Sequence, residues 1–91
     1  MDKLQAVALI GALDARGIDA EVDEFEHGDR VRTTVVICDT RDTVWQEGDW
    51  SWGPNYEHTL HQDTAPDTVA EQLFVARHEC PHCIAVLERI R

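Results

Sequence analysis

An α+β fold, in which helices cover one face of a small antiparallel meander sheet, is the architecture this sequence predicts. Three observations carry it. Apolar residues near the N-terminus recur at helical spacing and stop at Gly17. Residues 20–60 hold alternating patterns cut into short runs by Gly, Asp and Pro. Helical spacing then returns after Pro66. The expected result is a two-layer domain of three to four strands, packed against an N-terminal helix and one or two C-terminal helices. Its 91 residues fit one domain, residues 1–91.

The first helix is expected over about residues 2–16. Asp2 can cap it, Ala6, Leu9, Ile10 and Leu13 share one face, and Val7 lies beside them. Gly17 supplies a left-handed stop, after which Ile18 can fold back on the last turn. Residues 20–26 read as a strand, although Val22 and Phe25 fall on opposite faces, which points to a bulge or an early end. His27-Gly28-Asp29 is hairpin chemistry. Residues 31–38 form a central strand with β-branched residues on both faces, and Cys38 within it is expected to be a buried small hydrophobe.

Asp39-Thr40-Arg41-Asp42 turns the chain into a strand over residues 43–47. A further strand is expected between 50 and 60, interrupted by Gly53-Pro54 and resuming at Tyr56. Thr64 and Asp67 have capping-box spacing, and Pro66 suits a first helical turn. The next helix should cover about 66–78 and bury Val69, Leu73 and either Phe74 or Val75. Pro81 interrupts it, and a last helix over about 83–91 should turn Ile84, Leu87 and Ile90 inward.

Charge narrows the functional classes. The net charge is −10, with eight acidic and two basic residues in 1–29, and five acidic and none basic in 49–71. Such a field repels phosphate, so nucleic acid is not an expected partner, and no segment approaches the ~20 apolar residues of a membrane span, so neither is a membrane. A basic protein partner suits it. A domain this small has a thin core, which also makes a homodimer or a structural metal an expectation. The apolar run 4–13 fits an amphipathic helix better than a secretory segment, and three cysteines fit a reducing compartment, so a cytoplasmic location is expected.

The densest chemistry is His78-Glu79-Cys80-Pro81-His82-Cys83. Cys-Pro-His-Cys resembles the active-site motif of the thioredoxin-like superfamily, particularly its disulfide-forming oxidases. The resemblance implies a helix N-terminus lowering the pKa of one thiol. It covers four residues, and in that family most of the fold follows the motif, whereas eight residues follow Cys83 here. The expectation is therefore that no such scaffold is built. A Cys-x-x-Cys pair also places two thiolates on one zinc ion. Cys80, Cys83, His58 and His61 form the candidate tetrahedral set, which would staple the last helix to the sheet. A plain helix junction at Pro81 accounts for the same residues without a ligand.

Trp45, Trp50 and Trp52 lie close together and are followed by Gly53-Pro54-Asn55-Tyr56. Trp and Tyr in turn-rich segments often anchor a partner, so Trp50, Trp52 and Tyr56 are the candidate protein-contact residues. At least one of the tryptophans is expected in the core. The α-β-β-β-α order resembles that of the double-stranded-RNA-binding domain, but the second helix opens Pro66-Asp67-Thr68 where that family is basic, so RNA contacts are not implied. Element order and charge are also similar to those of small acidic chaperones of secreted effectors, by class only. No phosphate loop, nucleophile elbow or zincin motif occurs, and Ser51 is the one serine. The expectation is a non-enzymatic interaction or regulatory module. The alternatives are a zinc-stabilised or thiol-active protein, and an acidic inhibitor that mimics nucleic acid.

Overall fold

The structure, a computed structural model, describes residues 1–53, 56–79 and 81–89. It is α+β, with an N-terminal helix, a five-stranded antiparallel meander and C-terminal helices. Helix α1 (Lys3–Asp14) begins at Asp2, whose carboxylate accepts from the Leu4 N–H at 3.0 Å. It ends in a Schellman motif. Gly17 takes a φ of 75°, its N–H donates to Asp14 O, and the Ile18 N–H reaches back to Leu13 O. Ala6, Leu9 and Leu13 are buried as the spacing requires, but Val7 is 59% exposed.

Strands β1 (Ala20–His27) and β2 (Arg30–Ile37) pair along their whole length, from Ala20 opposite Ile37 to His27 opposite Arg30. No bulge interrupts them. Phe25 faces away from Val22 because the sheet has an apolar surface on that side too. Gly28 (φ 64°) leads a two-residue hairpin loop, the position glycine takes in a type II′ turn. Cys38 corrects a second expectation. It lies in the turn after β2 and is exposed, its N–H held by Asp19 O.

Strand β3 (Thr43–Glu47) pairs with β2 at Val35–Val44 and Val36–Thr43. In place of one interrupted fourth strand there are two, β4 (Asp49–Trp52) and β5 (His58–Leu60), antiparallel to each other. The chain reverses between them because Gly53 (φ 87°) and Tyr56 (φ 54°) both adopt left-handed backbone. Sheet order is β1-β2-β3-β4-β5. Helix α2 (Pro66–Glu79) packs on α1, and α3 (Pro81–Arg89) packs on α2. Pro81 opens α3, where its missing N–H costs nothing. Asp67 turns its carboxylate to Arg16 at 3.1 Å, joining α2 to the end of α1.

Period-two alternation decides which strand residues enter the core. Val35, Ile37, Val44, Trp50 and Trp52 face the helices and meet Leu9, Leu13, Val69, Ala70 and Leu73 in one buried cluster. Phe74 is 39% exposed and tilts against the His78 ring, while Val75 is half-buried. Ile84 and Leu87 are half-buried, and Ile90 lies outside the described residues. Among the described residues, no helix is long and apolar enough to cross a membrane.

Candidate functional site

The same alternation builds a second surface on the face of the sheet opposite the core cluster. Phe25 of β1, Arg32 and Thr34 of β2, Trp45 and Glu47 of β3, and Ser51 of β4 share it through the strand registers. Three aromatic rings form a row across it. Phe25 meets Trp45 edge-on at 5.5 Å between centroids, and Trp45 meets Tyr56 edge-on at 6.3 Å. Edge-to-face rings at these separations attract each other through their quadrupoles. Thr34, on the intervening strand, is 1% exposed, and its hydroxyl donates to Asp23 O.

Beside this row lies a shallow pocket of about 350 Å³, lined by Arg32, Trp45, Glu47, Asp49, Ser51 and Tyr56. Arg32 is ion-paired with Glu47 along one wall. An Asp49 carboxylate oxygen accepts from the Gln62 N–H at 3.0 Å, which fixes that side chain at the rim. Tyr56 is 56% exposed and is held by its own N–H to Gly53 O. The pocket therefore combines π-faces with two carboxylates, of which one is balanced by Arg32.

Two of the three candidate contact residues, Trp50 and Trp52, face the core instead of the open side of the sheet. Trp50 is 0% and Trp52 4% exposed, so both belong to the core and neither ring can meet a partner. They occupy alternate positions of β4 around Ser51, so one inward ring brings the other inward. The Trp50 indole N–H donates to Thr64 O at 3.1 Å, tying β4 to the approach to α2. Of the three candidates, Tyr56 alone is exposed, and the half-buried Trp45 ring lies edge-on against it. No local signal marked Trp45: it shares a face with its cross-strand partner Ser51 only because a single residue, Gly48, joins β3 to β4, and a two-residue turn would have reversed that parity.

The proposed zinc ligands fare differently. His58 stacks on Trp52 with ring planes 12° apart, on the core side of β5. His61 is exposed, and its Nδ1 accepts from the Asp63 N–H at 3.1 Å. Cys80 and the side chain of Cys83 lie outside the described residues. Among the described residues, no three metal-ligating side chains converge.

A second concavity, about 630 Å³, lies between the end of α1, the β2–β3 turn and helices α2 and α3. Arg77 crosses it to Asp39, with N–O distances of 2.9 and 2.6 Å. These hydrogen bonds hold the Asp39 carboxyl below its ordinary pKa, although burial pushes in the opposite direction. That pair clamps the sheet to α2, and the crevice walls mix Ile18, Phe74, Ile84 and Leu87 with the charged side chains of Arg16 and Glu88.

The fold and the face together define a small α+β domain that keeps its helices on one side of the sheet and an acid-rimmed aromatic row on the other. Comparisons with protein-family models, curated proteins and solved structures find no match to this chain.

Proposed function

We propose that this protein is an interaction module that binds a cationic segment of a protein partner on the helix-free face of its sheet. The observation that carries the reading is the Trp45–Tyr56 pocket with Glu47 and Asp49 at its rim. An arginine or lysine side chain placed there gains cation–π attraction from two rings, worth about 0.5–1 kcal/mol per contact at an exposed site. It also gains charge-assisted hydrogen bonds to carboxylate. The net charge of −10 steers such a partner toward the domain and disfavours acidic ones. Tyr and Trp held in fixed orientations lose little entropy on binding, which favours their use as anchors.

The test is a titration of isotope-labelled protein with a tetra-arginine peptide, followed by NMR. The Trp45 indole and the amides of Ser51 and Tyr56 should shift, whereas a tetra-glutamate peptide should move nothing. Trp45→Ala should abolish those shifts while the domain stays folded. Shifts spread evenly over the acidic β1 strand and unchanged by Trp45→Ala would replace a site with diffuse charge attraction and sink the proposal.

A further inference from the structure

We infer that the outward face of α1 is a homodimer interface, in which two copies of this chain pack their first helices antiparallel about a two-fold axis. Helix α1 carries no charged residue from Leu4 to Leu13, and Gln5 is its one polar side chain there. A helix of that kind is normally covered all round. Here the side toward the sheet and α2 is covered, through Ala6, Leu9 and Leu13. The opposite side is not: Leu4 is 80% and Val7 59% exposed, and Ala8 and Gly11 are exposed with them. At 100° per residue these four positions form one continuous stripe.

Two features point to a second copy as the occupant. The first is Gly11. Glycine inside a helix costs about 1 kcal/mol relative to alanine, and a Cβ at this position would meet nothing within 4 Å, so the monomer has no steric need of it. Its backbone is open to close approach by another helix. In an antiparallel pair centred level with Leu9, Val7 of each copy sits over Gly11 of the other. The second is charge. Lys3 and Asp14 bracket the stripe on the same side of the helix, and the antiparallel arrangement brings Lys3 of each copy beside Asp14 of the other. Lys3 now pairs with Glu24 at 3.4 Å with its side chain 75% exposed, a weak contact that yields easily.

Elsewhere a molecule of net charge −10 repels its own copy, and this charge-free stripe escapes that repulsion. One helix pair buries less than a standard interface, so the dimer is expected to be weak and concentration-dependent. It leaves both aromatic sheet faces pointing away from the contact, so a dimer would present two of them to a partner with repeated basic segments.

Sedimentation velocity from micromolar to millimolar protein, in reductant so that exposed Cys38 cannot cross-link copies, provides the test. The mass should rise from 10.3 kDa toward twice that value with concentration. Val7→Glu should hold it at the monomer value with the far-UV spectrum unchanged. Lys3→Glu and Asp14→Lys should each weaken association, and combining them should restore it. A wild-type monomer at millimolar concentration would overturn the inference, as would a dimer indifferent to Val7→Glu or a charge exchange that fails to rescue. None of these readouts involves the sheet face, so the result is independent of peptide binding there.

Discussion

Trp50 and Trp52 occupy equivalent places in β4, yet their polar atoms are treated differently. The Trp50 indole N–H reaches Thr64 O, whereas that of Trp52 is buried with no hydrogen-bond partner among the described residues. A satisfied buried donor contributes about 1 kcal/mol, and an unsatisfied one costs about 1–3 kcal/mol. Trp50→Phe should therefore lower the urea midpoint clearly, and Trp52→Phe should lower it less or leave it unchanged. The reverse order would contradict this assignment of the two indoles. Gly53 is constrained by its backbone and by its neighbour at once. Its φ is 87°, and an added Cβ would lie 2.7 Å from the His58 ring. Gly53→Ala should destabilise by about 1–3 kcal/mol, combining backbone strain with displacement of a ring stacked on Trp52. Denaturant unfolding reads it directly.

Connections between elements are made by a few polar clamps over an apolar interior. The Asp39–Arg77 pair joins the β2–β3 turn to α2, and Arg16–Asp67 joins α1 to the start of α2. Because Asp39 has a lowered pKa when folded, the unfolded chain holds its proton more tightly. The stabilisation is complete above the ordinary aspartate value of 3.8 and is lost as pH falls through the lowered folded value. Asp39→Asn should thus cost about 1 kcal/mol near neutral pH, a modest figure because solvent screens a half-exposed carboxylate. The difference from wild type should shrink as acid protonates Asp39. A difference that stays constant down to strongly acidic pH would assign the effect to packing instead. Element types were largely legible, since the Asp2 cap, the Gly17 stop and the β-branched run of β2 each act locally. The turn that splits β4 from β5 was not, because a Gly-Pro interruption looks alike whether the chain continues onward or doubles back.

At the scale of the whole molecule, the helices sit on one side of the sheet and the Phe25–Trp45–Tyr56 row on the other. Removing Tyr56 should leave stability nearly unchanged, because a side chain more than half exposed contributes little to the core. It should weaken tetra-arginine binding several-fold. Raising salt should reduce that affinity without abolishing it, since screening acts on the carboxylates while ring contacts persist. Complete loss at high salt would remove the rings from the account.

Composition, helix punctuation and strand alternation were fixed by neighbours within a few residues, so the chain alone specified an acidic α+β meander with its helix stops. It also specified that Trp50 and Trp52 share a face, because parity along extended backbone is a local property, whereas Trp45 takes the other face only through the one-residue turn at Gly48. Which face meets the helices depends on the summed burial of distant residues such as Leu9, Val44 and Val69. Only that packing could send two tryptophans into the core, leave Trp45 and Tyr56 outside, and strand Leu4 and Val7 on a helix with one side uncovered.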